Sequence, residues 1–472
     1  MTDPSRGTTA PSLVRGLGLV AAIAIVVGDV VGTGVFLKAR VMTCNVDTPA
    51  LVLAAWVVAG LLSVAGALTY AELSVMFPEA GGEYVFMREG YGRFWGFLFG
   101  WMRFFIGSTG GNAALAAGMA TFLNVLAGGA LAPWTTTLHV GSWSMQIGAI
   151  EGVAIAAIVA ATLINCAAVS VSGTVATVMT GVRIILIAGL GVVAFWLADG
   201  SWQHLTMTVS AGCEGVAAAA RGGVAGFGAA MMAALWAYNG WNEMTYVGGE
   251  IADPNRNLPR ALVGGIGIVA ILYIFINASY FYVLTPTEVA GVNPDSSVAT
   301  EVLVRVLGPM AARLTAAAMV VSIFGALHVA SLVCARIPYA MANDGLFFSS
   351  VAPLSTRTRV PVRALLAQGA WASVLVLTGS FDALTDYTVF GILVFALMIP
   401  GALFLLRRRM PPAAYRTWGY PVVPILFMLV TLWLVLNTLI TAPQQALTGL
   451  ALIVTGLPFW WWWNRGNTRV GA

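Results

Sequence analysis

The sequence predicts an all-α membrane protein of twelve transmembrane helices: a five-plus-five inverted repeat with helices one and six broken, plus two extra helices. Three observations lead there. Of 472 residues, 59% are hydrophobic and 9% charged, against roughly 25% charged in a soluble globular chain. Twelve stretches come near the about 20 mostly apolar residues that a spanning helix needs. Two of them are interrupted at their centres, by Gly32-Thr33-Gly34 and by Trp236-Ala237-Tyr238-Asn239-Gly240.

In order, the segments are 15–37, 49–75, 94–125, 147–169, 173–198, 223–248, 260–284, 309–340, 363–380, 385–406, 420–441 and 445–463. The start Met1–Arg6 is polar, but the first apolar run is too long for a signal-peptide core and lacks a small-residue cleavage site, so it reads as a retained helix. Residues 76–93 mix charge with aromatics and predict a short interfacial helix after the Gly81-Gly82 turn. On the other face, 285–308 has room for a short helix, a candidate lid. The first repeat covers about 15–198, the second about 223–406, and the extra helices about 420–463. With an odd number of spans in each, the second must sit inverted. All of 1–472 reads as a single membrane domain.

Charge placement sets the orientation. With the N-terminus inside, seventeen of the 23 Lys and Arg fall on the cytoplasmic side, including Arg357, Arg359, Arg363 and Arg407-Arg408-Arg409. Lys38, Arg40, Arg221, Arg305 and Arg313 fall outside, and Arg183 lies within a span, an asymmetry that obeys the positive-inside rule. The net charge of +4 therefore expresses topology, and its scatter among short loops gives no case for nucleic acid. The four cysteines have no metal-ligand spacing, and no metal or other cofactor is called for. Cys166 and Cys334 read as packing residues. Cys44 and Cys213 fall in predicted external loops, where they could pair or stand as unrelated thiols.

The breaks carry the chemistry. Irregular backbone at bilayer depth is tolerated only where it is buried in protein or lines a cavity. A pair of interrupted helices at matching places in two halves is the sequence pointer to a transporter's binding site. Gly32 and Gly34 let a ligand approach the backbone, and the half-helix starting near Val35 presents free N–H groups and a positive dipole end to an anion. The second break exposes carbonyls, which attract a cation such as an ammonium. Together they make a receptor for an amino acid's α-carboxylate and α-amine. The competing reading is that a lone Gly-x-Gly in a membrane helix serves packing.

The runs PEAGGEYVFMREGYGRFWGFLFGW (78–101) and LWAYNGWNEMTYVGGEIADPNRNLPRAL (235–262) resemble the amino acid–polyamine–organocation superfamily. So do GDVVGTGVF (28–36), NCAAV (165–169) and the stretch around Ala335-Arg336. Within it the chain is most similar to the L-type amino acid transporter branch, the light subunits of heteromeric transporters and their bacterial relatives. The resemblance implies the twelve-helix inverted-repeat fold and sodium-independent movement of amino acids, usually by exchange. It places N–H groups of Gly32, Thr33 and Gly34 on the substrate carboxylate and carbonyls of Val30, Trp236 and Asn239 on the amine. Ala237 and Asn242 complete the substrate set, and Trp236 stands where the family has an aromatic gate.

The departures matter as much. Asn239 occupies a position that is Gly in relatives preferring large neutral substrates and Asp in one accepting cationic ones. An amide cannot neutralise a substrate Lys or Arg and its bulk narrows the pocket, which implies neutral, small-to-medium substrates such as Ala, Ser, Thr or Cys. Arg183 stands where much of the family has Lys, at the place of a sodium ion in sodium-coupled relatives, and it could bridge the fifth helix to carbonyls near Gly28. An arginine effectively does not lose its proton, so proton coupling through this residue is disfavoured. An intramembrane charge needs a partner, and Asp29 is the one expected here. His328 stands where relatives often have Asn and could make transport pH-sensitive, or simply pack. Glu243, Glu250, Asp253, Arg256 and Arg260 are expected in a cytoplasmic charge network with Glu72, Glu83 or Arg336.

A channel would need polar or charged rings along a lumen, and an intramembrane enzyme a nucleophile with its base or a metal triad; neither pattern is present. Proton-coupled symport and a non-transporting sensor on the same fold stay open. The amino acid and the lipid bilayer are the expected partners. No disulfide-linked heavy subunit is expected, because no Cys lies between Ala113 and Asn165, in the loop that carries it in animal light subunits. One Lys against 22 Arg suggests a GC-rich bacterial genome, hence an inner membrane with both termini cytoplasmic.

Overall fold

Apolar stretches of this length can satisfy their backbone in lipid only as helices or closed barrels, and here they form helices. The computed structural model describes residues 13, 15–140, 143–167, 169–293, 296–308, 310–378 and 381–467; the Met1–Arg6 start lies outside them. Among the described residues seven helices are long and apolar enough to cross a membrane: Pro49–Met76, Ser172–Leu197, Pro254–Val283, Met310–Asn343, Thr388–Arg409, Val422–Thr441 and Pro443–Asn464. The pair Leu19–Val30 and Gly34–Val46, bent by 42° at a short break, makes an eighth. Ala149–Asn165, Gly223–Ala237 and Val362–Val376 are apolar but shorter. The predicted segment 94–125 is divided into Arg93–Met102, a π-helical turn at Arg103–Gly107, and Ser108–Leu126. A helical, many-spanning membrane protein is what forms. Large apolar side chains such as Ile185, Ile271, Leu314 and Ile440 face outward, as a lipid-facing surface requires.

The two broken segments run side by side at the centre. Gly34–Val46 packs along Gly223–Ala237, and Leu19–Val30 packs on Val169–Leu197 and Pro254–Val283. Around them Pro49–Met76 lies along Pro254–Val283, and Met310–Cys334 along Ser108–Leu126. Trp56 fixes one such contact, edge-on to Tyr238 and Tyr273 at centroid distances of 5.8 and 5.4 Å. Contacts of this geometry contribute about 0.5–1.5 kcal/mol each beyond their burial.

Several connections follow the sequence closely. Gly81 and Gly82 take φ of 108° and 43°, which a side chain disfavours, and the helix Glu83–Tyr91 starts directly after them. Residues 285–308 hold two short helices, Pro286–Ala290 and Val298–Leu307, rather than one. The first is opened by a reciprocal Thr285–Glu288 capping box and the second by Ser297. Strands Thr135–Val140 and Trp143–Gly148 form a small antiparallel hairpin that the hydropathy pattern did not suggest. Cys44 and Cys213 are joined in a disulfide; Cys44 sits in the helix Gly34–Val46, not in a loop.

The expected charge network is only partly as drawn. Arg336 grips Glu250 with two hydrogen bonds of 2.8 and 3.0 Å, both side chains fully buried. Glu72 is taken by Arg407 and the Thr417 N–H. Glu83 accepts from Tyr70, Tyr246 and Asn242. Asp253 instead opens the helix Pro254–Val283, and Glu243 lies elsewhere, in the central cavity.

Candidate binding site

The first break begins where the helix Leu19–Val30 runs out of backbone donors. A helix end leaves its last carbonyls without partners; here the guanidinium of Arg183 reaches in from the neighbouring helix and donates to the carbonyls of Gly28 and, at 2.9 Å, Val31. The expected Asp29–Arg183 ion pair does not form: among the described residues Arg183 makes none, and the Asp29 carboxyl stands beside Gly240 and lines the cavity together with Glu243. Beyond the break Thr33 heads the half-helix Gly34–Val46, whose opening N–H groups point away from any intrahelical acceptor. The Gly32 N–H already donates to the Val30 carbonyl at 2.8 Å, which leaves Thr33 and Gly34 as the freer donors of the expected three.

The second break ends the helix Gly223–Ala237. Tyr238, Asn239 and Gly240 turn the chain, and it resumes as a 3₁₀ segment, Trp241–Tyr246, rather than as an α-helix. Gly240 adopts φ 114°, and a Cβ on it would stand 3.0 Å from the Asp29 carboxyl carbon, so both conformation and space call for glycine. The two breaks meet at Gly34, where a Cβ would lie 2.6 Å from the Ala237 Cα. Two side chains tie them. The Trp236 indole N–H reaches the Thr33 hydroxyl at 3.4 Å. The Tyr273 hydroxyl lies 2.9 Å from the Val30 carbonyl and 3.0 Å from that of Ala237.

Between the breaks is a cavity of about 40 Å³. Asp29, Val30, Gly32, Thr33, Gly34, Trp236 and Asn239 all line it. Ala237 stands behind the cavity against Gly34. Asn242 is turned away, donating to Glu83 at 2.7 Å in an adjoining pocket. Arg183 acts from behind the break. His328 lies between helices at a distance from this lining, with Nε2 3.5 Å from the Ser172 carbonyl.

The opposite wall was not foreseen. Ser108 and Asn112 line it, each with a buried oxygen lacking a partner among the described residues. At its base Arg103 pairs with Glu243, and the Cys334 thiol donates to Glu243 at 2.8 Å. The signal was present: Arg103 falls within the predicted segment 94–125 although the positive-inside count takes it as cytoplasmic, and an intramembrane charge is functional by default. Tyr273 had none, being one hydroxyl in a long apolar helix.

Comparison of the sequence with known proteins gives the family. The amino acid permease family model matches residues 17–462. The chain belongs to that family. This permease is 31% identical to the serine/threonine exchanger SteT of Bacillus subtilis (strain 168), over 95% of its own length and 97% of the relative's. It is 29% identical to the human b(0,+)-type amino acid transporter 1, covering 95% of the permease and 88% of that protein. With the large neutral amino acids transporter small subunit 2 of Mus musculus it shares 27% identity, over 97% and 82% of the two chains. The permease is thus an amino acid transporter of the membrane, in keeping with the L-type branch that its motifs resemble.

Proposed function

We propose that this permease carries neutral, small-to-medium amino acids such as Ser, Thr, Ala or Cys by alternating access, exchanging one for another without sodium. The observation that carries the reading is the meeting of the two breaks at one cavity, with Gly34 against Ala237 and Trp236 over Thr33. The substrate carboxylate rests on the N–H groups of Thr33 and Gly34, assisted by Gly32, and the positive end of the half-helix dipole favours it there. The amine lies toward the carbonyls of Val30, Trp236 and Asn239. Trp236 closes over the bound molecule. Arg183 fills with a fixed charge the place of a sodium ion, holding the Gly28 and Val31 carbonyls, so no sodium is called for. The small cavity, the Asn239 amide and the serine/threonine exchanger among the relatives all favour a compact polar side chain.

In this reading the first ten spans are two inverted groups of five, the basic residues face the cytoplasm, and the protein works in a bacterial inner membrane without a disulfide-linked partner. The test is uptake of labelled Ala, Ser, Leu and Lys into sodium-free proteoliposomes, with and without unlabelled amino acid inside. Uptake of Ala and Ser that requires internal amino acid is expected. Equal uptake into empty vesicles would overturn exchange, and preference for Leu or Lys would overturn the role given to Asn239.

A further inference from the structure

Asp29 and Glu243 are the two carboxylates that line the cavity, one from each break. Both are buried, at 7% and 4% exposure. An ionised carboxylate only accepts hydrogen bonds, so two of them buried at one small cavity repel unless one carries a proton. Every charged or titratable neighbour is identified. From the π-helical turn comes Arg103, paired with Glu243, its Nε and Nη1 without acceptors among the described residues. From the Met310–Cys334 helix comes the Cys334 thiol on Glu243. From the 3₁₀ segment comes Tyr246, whose ring lies 5.3 Å from the Arg103 guanidinium and whose hydroxyl donates to Glu83, a carboxylate that also accepts from Tyr70 and Asn242. From the Val169–Leu197 helix comes Arg183, committed to helix-end carbonyls.

The charges at the cavity do not balance. About the cavity the three carboxylates of Asp29, Glu243 and Glu83 face the two guanidinium groups of Arg103 and Arg183. Asp29 Oδ2 has no hydrogen-bond partner among the described residues. An uncompensated buried charge is strongly unfavourable, and the excess here is one negative charge. A zwitterionic substrate adds no net charge to correct it. We propose that the Asp29–Glu243 pair is a binding site for one proton, with Arg103 as its fixed counter-charge, and that the proton is taken up before the cavity closes and leaves when it opens. The pair bridges the two breaks, so when the breaks separate the two carboxyl groups part, each meets water, and the shared proton passes to the solvent. Carboxylate chains of this kind are how membrane proteins relay protons. The inference rests on the cavity being the transport path, and its test separates the two.

Proteoliposomes loaded with a pH-sensitive dye, carrying out serine exchange under an imposed pH gradient, measure proton and labelled amino acid movement together. Wild-type protein is expected to move a fixed number of protons per amino acid, and Glu243→Gln none for whatever amino acid it still moves. Amino acid flux without proton movement in the wild type would overturn the proton site and leave exchange standing. Infrared spectroscopy of the purified protein decides the matter independently of flux. The wild type should show a protonated carboxyl band, shifted in heavy water and lost in both Asp29→Asn and Glu243→Gln. Absence of that band in the wild type would overturn the proposal. Its presence in protein that moves no amino acid would support the proton site and count against the transport reading.

Discussion

At the basic end of the bundle the helices are tied to one another by charge: Arg336 on Glu250, Arg407 on Glu72, and Arg88 with the Tyr84 hydroxyl on Asp344. At the opposite end they are tied by a covalent bond and by backbone. The Cys44–Cys213 disulfide, Arg40 on the carbonyls of Gly212 and Glu214, and Asn45 on Ala220 tie the half-helix Gly34–Val46 to the loop that leads into Gly223–Ala237, and Arg40 also holds the carbonyl of Ala290 in the short helix Pro286–Ala290. The Gly222 N–H returns to the Asn45 carbonyl at 2.7 Å. The difference has a mechanical meaning. Ion pairs between separate helices can part and be rehydrated as the elements move, whereas a disulfide and backbone ties persist. The two half-helices at the disulfide end are therefore expected to move as one body, and the basic end to open by exchanging partners.

The largest expected effect lies at the basic end. Arg336→Ala strands Glu250 as an unpaired buried charge and should lower stability by about 3–5 kcal/mol, read by unfolding in detergent; Arg336→Met with Glu250→Leu should cost much less, because nothing is left unpaired. A loss below about 1 kcal/mol in the single variant would mean that this end is not held by charge. At the other end, Cys44→Ser with Cys213→Ser should cost about 2–4 kcal/mol. It should also remove any sensitivity of stability to reductant, and equal sensitivity in the variant would break the comparison. Between the ends, Tyr273→Phe removes the hydroxyl shared by the Val30 and Ala237 carbonyls and should cost about 0.5–1.5 kcal/mol, with weaker substrate binding by calorimetry.

The smallest effect belongs to Glu288, at the disulfide end. Burial pushes its carboxyl up, but the Arg305 guanidinium and the Thr285 N–H and hydroxyl outweigh burial and hold it below the usual carboxylate range. A depressed folded value stabilises the protein above the unfolded pKa of about 4.3 and stops doing so as pH falls through the folded one. Glu288→Gln should therefore cost under about 1 kcal/mol at neutral pH, and the difference from wild type should vanish in acid. A difference that grows on acidification would reverse the sign.

The breaks were legible because glycine and polar residues interrupt apolar runs, a local signal. The approach of Arg183 to Gly28 was legible through the family resemblance, which puts this residue at the place of a sodium ion, and the broken helix supplies the orphan carbonyls that it meets. Its expected partner Asp29 was not, because pairing by depth alone ignores which side of a helix a side chain leaves; successive residues differ by about 100°. Glu243 was misplaced for a related reason. Counting outward along a continuous helix carries it toward the cytoplasmic surface, but the Tyr238–Gly240 turn spends residues without advancing and keeps it at the cavity. The Cys44–Cys213 pairing spans 169 residues, a distance over which no local pattern speaks.

The central claim is that the two breaks read the two charges common to every free amino acid. Calorimetric titration of the purified permease with serine, with serine methyl ester and with 3-hydroxypropionate tests it most directly, since the second lacks the carboxylate and the third the amine. The account predicts binding of serine and loss of measurable binding for both analogues. Binding of either analogue as tightly as serine would contradict it, by showing that the corresponding break does not hold the charge assigned to it.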